Sequence, residues 1–280
     1  MDALDRLIDL ALDEDLGAAG DVTTDALVPA SVRGRAELLA KEPLVLAGLG
    51  AFARVFERLE PGAVVEFRHA DGARVDAGMV VATVSASLRT LLVGERTALN
   101  IVQRTSGIAT VAAQAAAAVS GTKCRVLDTR KTAPGMRALS KQAVRAGGAD
   151  NHRFGLFDGV LIKDNHLAAL GGDVSDGVRR ARAHAPRLVK VEVEVTSLDQ
   201  LEAAIGARAD VVLLDNMDDA QIAEAVRRTR GRVELEVSGG VTLERLPRLA
   251  AMGVDFVSMG ALTHSARAMD LSLELLPAQR

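Results

Sequence analysis

The chain has 280 residues, 49% of them apolar and 25% charged, and its 34 Lys and Arg against 37 Asp and Glu leave a net charge of −3. At this length folding buries roughly 75% of the unfolded chain's surface, so the core needs no disulfide or metal staple. So small a charge excludes a protein built to coat nucleic acid or anionic membrane. With no Trp or Tyr and six Phe, there are few stacking platforms for single strands and no aromatic belt for a bilayer. The single Cys124 excludes a disulfide framework or a cysteine-rich zinc site. The start, MDALDRLIDLALDEDLG, carries acids throughout and lacks the form of a signal peptide. No run approaches ~18 uninterrupted apolar residues. The expectation is a cytoplasmic protein that binds neither nucleic acid nor membrane.

Leu4, Leu7, Ile8, Ala11 and Leu12 recur at spacings of three and four, which predicts a first helix stopped by Gly17. From about Arg33 to Ser87, short alternating runs (AELLAKEPLVLAG, AVVEFRHADG, MVVATVSAS) are broken by Gly48, Gly62, Gly72 and Gly78. These are strand and turn signals, with one helix near 51–59. The run TALNIVQRTSGIATVAAQAAAAVS predicts a helix whose small residues allow close packing, with Gly107 marking a bend. Apolar strands follow as CRVLD, GVLIKD, VKVEVEV, VVLLD, VELEV and VDFVSMG, with helical segments between them. Strands alternating with helices imply βα units and a parallel sheet. At least six strands suit either a barrel of fewer than eight strands or an open doubly wound sheet.

Polar residues gather where these strands end. CRVLD runs into Thr129-Arg130-Lys131-Thr132, and GVLI into Lys163-Asp164-Asn165-His166. Glu192 and Glu194 share one side of their strand, VVLL ends at Asp215-Asn216, and VELEV ends at Ser238-Gly239-Gly240. In barrel enzymes the active site lies at the C-terminal strand ends. Between Lys123 and Lys163 nine basic residues face three acidic ones. That local excess points to an anionic small molecule, because Arg grips carboxylate or phosphate through paired hydrogen bonds. Ser238, Gly239 and Gly240, with Gly260 and the following Thr263-His264 as a second lip, suggest a phosphate cradle. Two carboxylates at neighbouring strand ends, Glu194 and Asp215, suggest Mg²⁺ held together with phosphates.

GERTALNIVQRTSGIAT, DTRKTAPGMRALSKQAVRAGG, NHRFGLFDGVLIKDNH, LLDN, VSGGV and GALTHS together resemble the quinolinate phosphoribosyltransferases, over most of the chain from Gly20-Asp21-Val22-Thr23-Thr24 onward. One departure stands before SGIAT: Thr105 replaces an expected aliphatic residue. The resemblance implies an α/β fold with an N-terminal α/β sandwich domain, residues 1–95 completed by 267–280. An incomplete seven-stranded α/β barrel of residues 96–266 would carry the catalytic site. It implies transfer of phosphoribosyl from 5-phosphoribosyl pyrophosphate to quinolinate with Mg²⁺ and decarboxylation, giving nicotinate mononucleotide, pyrophosphate and CO2. It also implies a homodimer with shared active sites, or a hexamer.

By the same resemblance, Lys131, Lys163, Glu194 and Asp215 are the catalytic residues. Arg130, His152, Arg153 and Lys163 clamp quinolinate, and Arg96 reaches over from a partner subunit. Ser238, Gly239, Gly240, Gly260 and His264 hold the 5-phosphate, while Glu194 and Asp215 bind the metal and the ribose. The rival readings are a Schiff-base aldolase using Lys163, a fold relative linked to molybdate transport, and an anion-binding module without turnover.

Overall fold

The first helix, α1 (Ala3–Leu16), is N-capped by Asp2 and closed by Gly17 at a φ of 51°. It buries Ile8 and Leu12, two members of the apolar stripe that the sequence spacing selects. The structure is a computed structural model describing residues 2–277. The chain continues through α2 (Val22–Leu27), β1 (Arg33–Ala40), β2 (Leu44–Val45), α3 (Leu49–Leu59), β3 (Val64–Phe67), β4 (Arg74–Val75), β5 (Val80–Ser87) and the 31-residue α4 (Leu88–Ala118). Next come β6 (Arg125–Leu127), α5 (Arg137–Ala146), β7 (Val160–Ile162), α6 (Asp164–Ala168), α7 (Val174–His184), β8 (Val191–Val195) and α8 (Leu198–Gly206). The last elements are β9 (Val211–Asp215), α9 (Asp219–Thr229), β10 (Glu234–Ser238), α10 (Leu246–Ala251), β11 (Phe256–Ser258), α11 (Ala261–His264) and β12 (Leu271–Leu275).

Two compact units result. The first holds residues up to Ala113, Ala133–Gly148 and the segment from Ala266 onward. Its antiparallel sheet has the order β12-β1-β5-β3. Ala36, Leu38 and Ala40 alternate into the core along β1. Leu38 pairs with Leu273, so the C-terminal strand lies against β1. Phe52 and Phe56 of α3 meet edge-on with ring centroids 5.2 Å apart and are fully buried. Across the expected 95/96 boundary α4 is continuous, and residues 96–113 pack in the first unit. Residues 133–148, read from sequence as part of the barrel, also belong to this unit.

Gly107 serves close approach, and α4 runs on through it. A Cβ there would lie 1.8 Å from the Arg267 carbonyl oxygen. Thr105, the departure from the expected pattern, donates its hydroxyl to the Ala47 carbonyl at 2.6 Å and is 1% exposed. An aliphatic side chain would leave that carbonyl without this donor.

The second unit, Gln114–Thr132 with Ala149–Ser265, is built on a parallel sheet of order β6-β11-β10-β9-β8-β7. The expected count was seven strands. Six are regular, and the seventh position is a single parallel bridge between Leu127 and Asp150. Asp150 makes only two ladder bonds, its N–H to Val126 O at 2.8 Å and its carbonyl to the Asp128 N–H at 3.1 Å. The polar Asn151-His152-Arg153 turn follows immediately and cannot extend an apolar strand. Three helices of this unit start where side chains cap them: Asp173 for α7, Ser197 for α8 and Asp218 for α9. Val193, Val195, Val212, Leu214, Leu235 and Val237 share one face of this sheet and are all nearly or fully buried.

Candidate active site

The C-terminal ends of the parallel strands enclose a cavity of about 260 Å³. Its wall includes Arg130, Lys131, His152, Arg153, Lys163, Glu194, Asp215 and Ser238, eight of the residues singled out from sequence. Arg96 stands exposed on α4 in the other unit. Gly239, Gly240, Gly260 and His264 lie outside the cavity wall. Gly260 nevertheless sits close to the cavity's Lys131, since a Cβ on it would lie 3.0 Å from Lys131 Cδ and 3.0 Å from His264 Nε2. Thr263 Oγ1 donates to the Lys131 carbonyl at 2.9 Å, which ties the β11–α11 turn to the Arg130-Lys131 segment.

The turns after the strands are fixed by their own side chains. Lys163 ends β7 as the N-cap of α6, and its backbone N–H donates to His166 Nδ1 at 2.9 Å. The histidine of KDNH therefore shapes the backbone that carries Lys163. After β9, Asn216 adopts a φ of 53° and donates its side-chain amide to Asp215 Oδ2 at 2.7 Å. Its backbone N–H donates to the Ser238 carbonyl at 3.2 Å, locking the LLDN turn to the Ser-Gly-Gly turn. Arg153 Nη1 donates to the Gly159 carbonyl at 2.9 Å. Among the described residues the buried Arg130 Nε has no hydrogen-bond partner, and a buried donor left so costs free energy until an acceptor arrives.

Burial and the neighbouring Arg130 charge lower the pKa of Arg153, against the opposing pull of Glu192 and Asp158. Burial, then the charges of Asp215 and Asp164, raise that of Glu194. Two close carboxylates with hard oxygen donors are what a divalent cation shared with phosphates relieves.

Sequence reasoning missed Glu236, Leu161, Leu213 and Ser258, which also line the cavity. Glu236 is 2% exposed, and burial followed by the charge of Glu192 pushes its pKa up to about 8. The signal was present: Glu236 precedes Ser238 by two residues, as Glu192 precedes Glu194, so strand periodicity puts it on the cavity side. His152 Nε2 lies 2.9 Å from Glu192 and 3.5 Å from Glu236. Its Nδ1 accepts the Arg153 backbone N–H at 2.8 Å. The histidine read from sequence as a ligand contact thus lines the cavity with both ring nitrogens turned to the protein.

Two domain families match the chain in tandem: the quinolinate phosphoribosyl transferase N-terminal domain over residues 21–106 and its C-terminal domain over residues 108–274. The Mycobacterium leprae nicotinate-nucleotide pyrophosphorylase [carboxylating] is 47% identical over 279 residues, 98% of each chain. A probable enzyme of that name from Bacillus subtilis is 39% identical over 272 residues, 97% of this chain and 93% of the relative. The crystal structure of NadC from Streptococcus pyogenes superposes with a TM-score of 0.93 at 40% identity, covering 98% of this chain and 96% of that one. Matches of this extent, across both units and the strand ends that form the cavity, establish that the chain belongs to the quinolinate phosphoribosyl transferase family.

Proposed function

We infer that the protein transfers phosphoribosyl from 5-phosphoribosyl pyrophosphate to quinolinate with loss of CO2, giving nicotinate mononucleotide and pyrophosphate for NAD biosynthesis. The observation that carries this reading is that one cavity wall gathers three cations, Arg130, Arg153 and Lys163, and two acids, Glu194 and Asp215. A pyridine with two carboxylates matches the cations, and Arg130 Nε, buried without a hydrogen-bond partner among the described residues, is a donor such an anion could satisfy. The acidic pair matches a ribosyl carbon that turns cationic as pyrophosphate leaves.

The C–O bond to pyrophosphate breaks as the pyridine nitrogen bonds to the sugar carbon. The nitrogen is then positive and stabilises the electron pair left on the neighbouring ring carbon when the carboxylate there departs as CO2, and that carbon then takes up a proton. The protein's work is positioning and charge stabilisation. Lys131 and Lys163 face the departing pyrophosphate and the carboxylates, and the Ser238-Gly239-Gly240 turn with Gly260 and His264 cradles the 5-phosphate. Glu194 and Asp215 would hold Mg²⁺, which when bound neutralises pyrophosphate charge.

A homodimer with shared active sites, or a hexamer built from it, is part of this reading. Arg96 is exposed and available to a partner's cavity. Next to Arg153, Phe154, Leu156 and Phe157 are 40%, 71% and 78% exposed, an apolar loop suited to cover by a second copy. A cytoplasmic setting completes the reading. The decisive experiment mixes protein, quinolinate, 5-phosphoribosyl pyrophosphate and Mg²⁺ and looks for CO2 and nicotinate mononucleotide. Binding of both substrates without products would favour a non-enzymatic anion-binding module.

A further inference from the structure

At the cavity wall lies a buried cluster that the reaction as written does not use. Glu192 and Glu236 are 6% and 2% exposed, and one carboxylate oxygen of each lies within 4.8 Å of the other and of a His152 ring nitrogen. Glu192 Oε1 and Glu236 Oε1 have no hydrogen-bond partner among the described residues. Two carboxyls buried together are costly, so the sheet carries them for a reason other than packing.

A metal ion is not that reason. The Arg153 N–H faces His152 Nδ1 at 2.8 Å, so Nδ1 keeps its lone pair and the ring proton sits on Nε2, the nitrogen that would have to ligate. Burial opposes a charged ring and the two carboxylates favour it, the carboxylates prevailing. Yet Nδ1, where a second proton would go, is taken by that backbone N–H. The ring thus links two partners in a line: Nε2–H donates to Glu192, and Nδ1 accepts from Arg153. The backbone on the other side of the ring is held as well, with the His152 N–H donating to the fully buried Asp128 at 2.9 Å.

We propose that the Glu192–Glu236 pair is a positioning device for quinolinate recognition: it fixes the His152 ring, and the ring fixes the backbone from which Arg153 reaches the substrate. Glu236 of β10 pairs with Leu213 of β9, and Glu192 of β8 pairs with Val211 of the same strand. The pair is therefore anchored on two strands on either side of β9, and its position follows from the sheet, where a surface loop would leave it mobile. Such a support matters because the Asn151–Gly159 segment contains no regular element beyond the bridge at Asp150. A misplacement of about 1 Å at a clamp can cost ~100-fold.

This proposal rests on the functional reading above, and its test separates the two. Steady-state kinetics on Glu192→Leu, Glu192→Gln and Glu236→Leu would be measured for each substrate, with a cycle combining Glu192→Leu and Arg153→Ala. The expected result is a KM for quinolinate raised at least tenfold in both Leu variants, a KM for 5-phosphoribosyl pyrophosphate within twofold of wild type, and rescue to within threefold by Glu192→Gln. In the cycle, Glu192→Leu should add little once Arg153 is absent. If the two effects multiply, or both KM values rise together, the device is general scaffolding and the proposal falls. Should Glu192→Leu not fold, Glu236→Leu and its own cycle with Arg153→Ala decide on the same criteria. A wild-type protein that turned over no quinolinate would overturn the functional reading and this proposal together.

Discussion

A Cβ on Gly239 would stand 2.2 Å from Asn216 Oδ1. Gly239 has a φ of 91°, Asn216 a φ of 53°, and the two turns are joined by the Asn216 N–H to Ser238 carbonyl bond. The Asn216 amide also holds Asp215. The glycine therefore makes room for the residue that orients Asp215. Gly239→Ala is expected to cost on the order of 1–3 kcal/mol in stability. It should also raise the KM for 5-phosphoribosyl pyrophosphate at least tenfold. Thermal melts and kinetics check both, and a variant with wild-type KM would show that Asn216 can shift without consequence.

Arg130 and Arg153 are expected to govern quinolinate affinity. A charge-assisted hydrogen bond contributes ~1.5–3 kcal/mol, equivalent to roughly ten- to hundredfold. Arg130→Ala or Arg153→Ala should weaken quinolinate by that factor and leave the melting temperature near wild type. An unchanged Michaelis constant would remove the residue from the clamp.

Glu194 and Asp215 should make turnover depend on a divalent cation. Excess chelator is expected to abolish activity and Mg²⁺ to restore it, with Glu194→Gln or Asp215→Asn shifting the Mg²⁺ concentration needed for half-maximal rate upward. Full turnover in chelator would count against both carboxylates as ligands.

Glu236 carries a pH signature in stability. Its pKa in the folded protein is raised from 4.5 to about 8, so between those values the native state binds more protons at this site than the unfolded chain. By linkage this group's contribution falls as pH rises through that window. Glu236→Gln cannot ionise and escapes the penalty. Its melting temperature relative to wild type should therefore climb from about pH 5 to pH 8. A difference that stays flat, or that shrinks with rising pH, would show that Glu236 ionises in the folded state at an ordinary value.

Gly107 tests the packing of α4. With the Arg267 carbonyl 1.8 Å from where a Cβ would stand, Gly107→Ala must push the helix and the segment after Ala266 apart. Overpacking of this kind costs ~1–3 kcal/mol, and each kcal/mol lowers the melting temperature by ~2–4 °C in proteins of this size. No change on melting would mean the contact is looser than described.

The residues of the cavity were legible in the chain because chemistry falls at regular places in it. Polar residues after apolar strands mark the C-terminal ends of a parallel sheet, and that periodicity alone gathered Arg130, Lys163, Glu194, Asp215 and Ser238. The α1 stripe and its Gly17 stop follow from the same local logic. What periodicity could not decide are contacts between residues far apart in sequence. That Gly107 answers the Arg267 carbonyl, that Thr105 caps Ala47, and that residues 133–148 join the first unit depend on where the chain returns. His152 shows the limit most plainly. Its residue type and neighbours suggested a ligand contact, and only the folded sheet brought Glu192 and Glu236 within reach of its Nε2.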